Sequence, residues 1–185
     1  MSATGFVYEG QEPQLFKRAE NWKRYWSTHI KPFLGRRVLE VGAGIGTNTP
    51  FLSYGIEEWI CLEPDANMAA FLVERQRTTA AAGTHTIVGV IGDLPDVPSF
   101  DSIVYIDVLE HIKDDRAEIA AATARLRPNG NIIILSPAHH WLFSDFDAAV
   151  GHYGRYSAKS LRALTRQILN SLLCGNWTQW ERLNL

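Results

Sequence analysis

Two sets of residues in this chain have types and spacings that could do chemistry. The first is Glu40-Val41-Gly42-Ala43-Gly44-Ile45-Gly46, which follows the apolar pair Val38-Leu39. Gly42, Gly44 and Gly46 fall at alternate positions. Glycines so placed let a backbone turn tightly and approach a ligand that any Cβ would hold away. A strand, a glycine turn and a helix form the first half of a nucleotide-binding α/β unit. The acid at position 40 would repel a pyrophosphate and suits a ligand bearing an ammonium or other cationic group. The second set is Asp107, Glu110 and His111, which a helical turn would align at three- and four-residue spacing. Three readings of it stand open. His111 could take a proton as a general base. The acid-x-x-acid-His pattern could hold a divalent cation. Or Glu110 and His111 could only cap or brace the next helix.

The surrounding elements must hold these sets in place. Leu15, Ala19, Trp22 and Trp26 recur at helical intervals over 12–30, and Pro32 and Gly35 close that segment. Strands are expected at 37–41, 58–62, 84–90, 101–106 and 131–135. Helices are expected at 47–53, 65–78 and 114–126, two of them opened by Asp65 and Asp114 as N-caps. The alanine run 80–82 before Gly83 reads as a helix end. Pro128-Asn129-Gly130 reads as a turn. Ser157 caps a last helix with apolar residues at Leu161, Leu164, Ile168 and Leu172. The strands have short, nearly continuous apolar cores such as Ile103-Val104-Tyr105-Ile106, as strands buried on both faces do. Strand alternating with helix predicts an α/β fold, a doubly wound and mostly parallel sheet with helices on both faces.

With 185 residues, the chain has the length of one domain with a proper core. It divides into a helical cap at 1–35, a ligand-binding core at 36–136, and a loop, helix and tail at 137–185. A composition 46% hydrophobic and 21% charged is that of an ordinary globular protein. The net charge of −2 gives no general attraction to nucleic acid or anionic membrane, so neither is an expected partner. Lys17, Arg18, Lys23 and Arg24 read as the solvated face of the first helix. Cys61 and Cys174 are the only cysteines and show no metal spacing. Cys61 reads as an inert core thiol, and the reducing cytoplasm is the expected location. The polar opening stretch 1–14 has no signal-peptide pattern, and no apolar run has the roughly 20 residues of a membrane helix.

Taken in order, these motifs resemble those of the class I S-adenosylmethionine-dependent methyltransferases. The likeness rests on the acid-x-Gly-x-Gly-x-Gly loop, Glu63 ending the second strand, Gly92-Asp93-Leu94 after the third, Ile106-Asp107-Val108-Leu109-Glu110-His111 after the fourth, and Leu126-Arg127-Pro128-Asn129-Gly130 before the fifth. S-adenosylmethionine carries both a sulfonium and an α-amino group, which fits an acidic residue before the turn. The resemblance implies that Glu40, Gly42, Ala43, Gly44, Gly46, Asn48, Glu63, Pro64, Asp93, Leu94, Asp107 and Val108 bind this cofactor. It gives Glu63 the ribose hydroxyls, with Asp65 as the weaker rival, and Asp93 the adenine amino group. It brings Tyr25 to the cofactor's carboxylate end, and His111 is the candidate catalytic residue. The flanking Asn21–Tyr25, Ser136–Ser144 and Gly151–Ser157 segments are similar to those of the ubiquinone-biosynthesis-like group, which implies a small-molecule or lipid acceptor methylated at O or C. Three histidines, five aromatics and Arg155 between His139 and Tyr156 are expected to shape the acceptor pocket.

Members of this class usually end in two further strands, and here only Ser171 to Leu185 follows the last helix, with one short strand at best over Trp177 to Leu183. The fifth strand is then an apolar edge. It is expected to be covered by the tail, by the 139–156 loop or by a second copy of the chain. Two other functions compete: a non-catalytic cofactor-binding protein, and a nicotinamide-dependent oxidoreductase, against which the early third glycine and Glu40 both argue.

Overall fold

The computed structural model of the protein describes residues 19–79 and 83–173. The expected helix start at residue 12, Lys17 and Arg18, the alanine run 80–82, Cys174, the tail to Leu185 and the side chains of Ile168 and Leu172 lie outside the described residues. Chain order is α1 (Glu20–Ile30), β1 (Arg37–Val41), α2 (Thr49–Leu52), β2 (Glu58–Glu63), α3 (Ala66–Thr79), β3 (Thr84–Val88), β4 (Phe100–Ile106), α4 (Asp115–Ala124), β5 (Leu126–Leu135), α5 (Asp145–Ala149) and α6 (Ala158–Leu173). The five strands form one sheet in the order β3-β2-β1-β4-β5, every pair parallel. The expected doubly wound sheet is therefore present.

Period-two alternation divides the core between the two faces of the sheet. Leu39, Val41, Ile60, Leu62, Ile103 and Tyr105 pack on one face with Ile119 and Ala122 of α4 and Leu161 and Leu164 of α6. Val38, Trp59, Cys61, Val104 and Ile106 pack on the other with Trp26 and Ile30 of α1, Leu52 of α2 and Leu72 of α3. The order of strands reverses between β1 and β4. In an open α/β sheet, ligands bind beyond the carboxyl ends of the strands at that switch point. The glycine turn and Asp107 both sit there.

Several boundaries differ from expectation, each for a local reason. The helix after the glycines begins only at Thr49, because Gly46 still has φ +70°. β3 ends at Val88, where Gly89 (φ +156°) leads the chain into a 3₁₀ turn over Ile91–Asp93. β5 starts early: Leu126 pairs with Phe100, residues 127–130 bulge out, and Asn131 resumes against Ser102. The expected turn, with Asn129 at φ +65°, is thus a bulge within the strand. The buried face of α1 is Lys23, Trp26, Ser27 and Ile30, while Trp22 is exposed. Both aspartate caps are present, Asp65 accepting from the Asn67 and Met68 amides and Asp114 from that of Ala117. Ser157 likewise accepts from the Ser160 amide at the start of α6.

Candidate functional site

The cofactor side is built largely from backbone. Gly42, Gly44 and Gly46 all have positive φ, at +65°, +56° and +70°. Gly42 donates to the Leu62 carbonyl of β2 at 2.8 Å, and Gly46 to the Ala43 carbonyl at 3.0 Å. A Cβ on Gly42 would come within 2.7 Å of Val108 Cγ2, so only a glycine lets the loop lie against the end of β4. A Cβ on Gly44 would meet nothing within 4 Å, which leaves that side of the loop open.

Two acids support this loop from within. Glu63 Oε2 accepts from the Gly44 amide at 2.7 Å and Oε1 from the Asp65 amide at 2.9 Å. Burial raises its pKa, against the pull of those two amides. A carboxylate offers about four lone-pair sites, so acceptor capacity remains for ligand hydroxyls. Glu40 is only 2% exposed. Its Oε2 accepts from Thr49 Oγ1 at 2.7 Å and from Trp59 Nε1 at 2.8 Å, which ties β1 to α2 and β2. Burial raises its pKa too. Cys61 lies against the same carboxylate, and burial pushes its thiol up, so it is an inert core residue.

Lys23 of α1, expected on a solvated face, reaches the end of the loop instead. Its Nζ donates to Thr47 Oγ1 at 2.6 Å and to the Thr47 carbonyl at 3.2 Å. The side chain is buried because its stem lies in the core while its tip has these acceptors. Burial first, then Arg75, lowers its pKa to about 8, while Glu40 and Asp107 pull the other way. Tyr25 stands on the exposed face of α1, stacked on Trp22 at 5.7 Å and tilted against His29.

Of the other expected cofactor residues, Asn48 and Pro64 are half-buried. Asp93 is exposed and spends Oδ2 on the Val90 amide at 2.9 Å, and Leu94 packs on the core beneath. Asp107 has φ +53°, a conformation that aspartate adopts more readily than most residues, and donates its amide to the Leu135 carbonyl at 2.8 Å. Asp107 is exposed, and desolvation by the surrounding protein raises its carboxyl to about 6, against the pull of Lys23 and His152.

The expected helical alignment of Asp107 with Glu110 and His111 does not form. The positive φ of Asp107 and the irregular Val108 (φ −132°, ψ −43°) interrupt it, and a 3₁₀ turn begins only at Leu109. Glu110 and His111 converge instead with His152, one donor atom from each lying within 4.8 Å of the others. The two imidazoles meet edge to face at 4.5 Å. Glu110 Oε2 accepts from Ser136 Oγ at 2.7 Å, and its backbone carbonyl from the Tyr153 amide at 2.7 Å. Burial raises its carboxyl to about 7. The helix that follows is capped by Asp114.

His152 is held from behind. Its Nδ1 lies 2.9 Å from Asp147 Oδ1. Asp147 also accepts from Arg155 Nε and Nη2, at 2.9 and 3.0 Å, and from the amide and hydroxyl of Ser144, both at 2.9 Å. These donors, Arg155 foremost, keep the carboxyl well below the usual range. Asp147 sits on α5, a short helix within the expected loop. The spacing Asp147-x4-His152-x2-Arg155 was the available signal for this clamp. The same segment leaves Trp141, Leu142, Phe146 and Tyr153 exposed. On the outer side of β5 the described residues place no further strand, and Ile132 to Leu135 are half-buried.

Residues 14–169 match the family model described as "Methyltransferase domain". Among curated proteins, the tRNA U34 carboxymethyltransferase of Shewanella baltica is 27% identical over 123 residues, which cover 61% of this chain and 36% of that protein. The ubiquinone biosynthesis O-methyltransferase of Paramagnetospirillum magneticum is 28% identical over 116 residues, 58% of this chain and 46% of that one. The matched part is thus less than half of these relatives' length. The phosphoethanolamine N-methyltransferase 2 of Haemonchus contortus, solved with S-adenosylhomocysteine, superposes with a TM-score of 0.70 at 20% identity, over 91% of this chain and 44% of that one. No helix among the described residues is long and apolar enough to cross a membrane. The sequence motifs, the parallel sheet with its glycine turn at the switch point, and the family match agree: the chain belongs to the class I S-adenosylmethionine-dependent methyltransferases, within the methyltransferase-domain family.

Proposed function

We propose that the protein transfers a methyl group from S-adenosylmethionine to a small-molecule or lipid acceptor, at oxygen or carbon. The observation that carries this reading is the glycine loop at the β1–β4 crevice, with the Gly44 amide held by Glu63 and no atom within 4 Å of the place a Gly44 Cβ would occupy. The donor set fits the cofactor. Glu63 keeps lone pairs for ribose hydroxyls, Asp93 stands where the adenine amino group is expected, and the Lys23 ammonium lies beside the loop for a carboxylate. On this reading Asn48, Pro64, Leu94, Val108 and Asp107 complete the cofactor's surroundings, and Val108 packs against Gly42 of the loop.

S-adenosylmethionine supplies an activated methyl on a good leaving group, so the protein's main task is alignment. The rigid glycine loop fixes one reactant. The segment from His139 to Tyr156, clamped through Asp147, presents aromatic surface to the other. Exposed Trp141, Phe146 and Tyr153 beside acidic Asp145 favour an apolar acceptor over a polyanion. The tRNA enzymes among the relatives keep nucleic acid as the second reading, on the strength of sequence likeness alone.

Calorimetry with S-adenosylhomocysteine and NAD tests the cofactor, and the reading predicts binding of the first only. Radiolabelled methyl transfer to phenols, quinol-type lipids and tRNA then tests the acceptor. Labelled tRNA with unlabelled lipids would reverse the order of the two readings. Cofactor binding with no labelled acceptor would favour a non-catalytic protein.

A further inference from the structure

We propose that Glu110, His111 and His152 form a binding site for a divalent transition-metal ion of the zinc class, with Asp147 orienting His152 from behind. The three donors come from two separate segments, the turn after β4 and the loop after α5, yet lie within 4.8 Å of one another. Ligand atoms about 2.0–2.1 Å from a tetrahedral ion are spaced by ~3.4 Å, so closure of roughly 1.4 Å at most completes the site. Side-chain rotation covers that distance.

Two further observations point to a cation. Glu110 is only 1% exposed, and its Oε1 has no hydrogen-bond partner among the described residues. A buried acceptor left unsatisfied is costly, and a metal ion beside it removes that cost. Asp147 accepts from His152 Nδ1, which leaves Nε2 as the ligand nitrogen. Metal-bound histidines commonly donate their second nitrogen to a carboxylate in this way. Asp147 is itself pinned by Arg155 and Ser144, so the imidazole is held against a fixed support.

The ligand chemistry selects the ion. Two imidazoles and one carboxylate suit zinc and its first-row neighbours, whereas magnesium and calcium prefer oxygen ligands. Three protein ligands leave a position open, as catalytic zinc sites do. On the methyl-transfer reading above, that position would take the acceptor's hydroxyl and lower its pKa, making His111 a ligand and not a base. Binding of the ion does not depend on that reading, so either can fail without the other.

The test uses the whole chain, stripped with a chelator and shown folded by far-UV circular dichroism. Zinc is titrated in competition with a chromophoric chelator. One ion per chain is expected, at micromolar affinity or tighter, with no competition from equimolar magnesium. His152→Ala and Glu110→Gln should weaken binding by about a hundredfold, and Asp147→Asn by about tenfold or more. Asp107→Asn should leave affinity within about twofold, since Asp107 lies outside the donor set. X-ray absorption of the unmutated zinc complex should show two imidazoles at ~2.0–2.1 Å, which decides the matter even if a variant fails to fold. Absence of stoichiometric zinc, full affinity in His152→Ala, or a zinc shell without two imidazoles would overturn the proposal.

Discussion

The two sides of the crevice are built in opposite ways. On the cofactor side, a seven-residue stretch from Glu40 to Gly46 makes the loop, and its side chains are mostly absent or turned inward. Glu63 and Glu40 use their carboxylates on the protein's own amides, hydroxyl and indole. On the other side, positions 110, 111, 136, 147, 152 and 155 contribute side chains from four places in the chain. A binding surface made of backbone depends on conformation. One made of converging side chains depends on a long-range clamp. The first should break with a single methyl group, and the second with a single charge.

Gly42→Ala should do the most damage. The left-handed backbone costs about 1–2 kcal/mol for a non-glycine residue, and the collision with Val108 adds about 1–3 kcal/mol of overpacking. Urea unfolding should show both together, and calorimetry should show S-adenosylhomocysteine affinity down by about a hundredfold or more, since 2.8 kcal/mol corresponds to roughly that factor. Gly44→Ala sharpens the contrast. Its Cβ meets nothing, so only the ~1–2 kcal/mol conformational cost should appear in stability. Equal destabilisation by the two variants would break the account of the loop.

Asp147→Asn tests the other side. Hydrogen bonds to a charged group are worth about 1.5–3 kcal/mol each, and here Arg155 and His152 lose a charged acceptor together. Amide exchange across 139–156 should quicken by about tenfold or more. S-adenosylhomocysteine affinity should stay within about twofold, because the glycine loop does not lean on this clamp. A matching loss of cofactor affinity would show that the two sides are not separable.

Smaller effects are expected where the two sides meet. Glu63→Gln keeps one acceptor oxygen and turns the other into a donor facing an amide. S-adenosylhomocysteine affinity should fall by about tenfold. Lys23 links α1 to the loop, and its pKa falls from 10.5 to about 8. Between those values the unfolded chain binds the extra proton, so stability should rise as pH increases from about 8 to 10.5. Below pH 8 the cost of burying the ammonium is present in full. Lys23→Met should abolish that rise in urea titrations taken at successive pH values.

Much of the fold could be read from the chain because its signals are local. Apolar runs of strand length, separated by capped helices, give a parallel sheet whichever neighbours they find, and Asp65, Asp114 and Ser157 start their helices as expected. The glycine loop was legible for the same reason. Boundaries were less so. The β5 bulge depends on pairing with β4, and the late start of α2 depends on the positive φ of Gly46. The face of α1 was misread because Lys23 scores as solvated until Thr47 is known to stand beside it.

By itself, then, the sequence determined the alternation of strands and helices, the glycine turn, and the acids that follow it, since each rests on neighbours within a few residues. Only the tertiary structure decided which acids face inward, that Lys23 reaches Thr47 beside the loop, and that His152 joins Glu110 and His111. Helical spacing pointed to Asp107, but a left-handed residue broke the helix there. His152 arrives from a distant segment through a buried aspartate, and no local periodicity records such a contact.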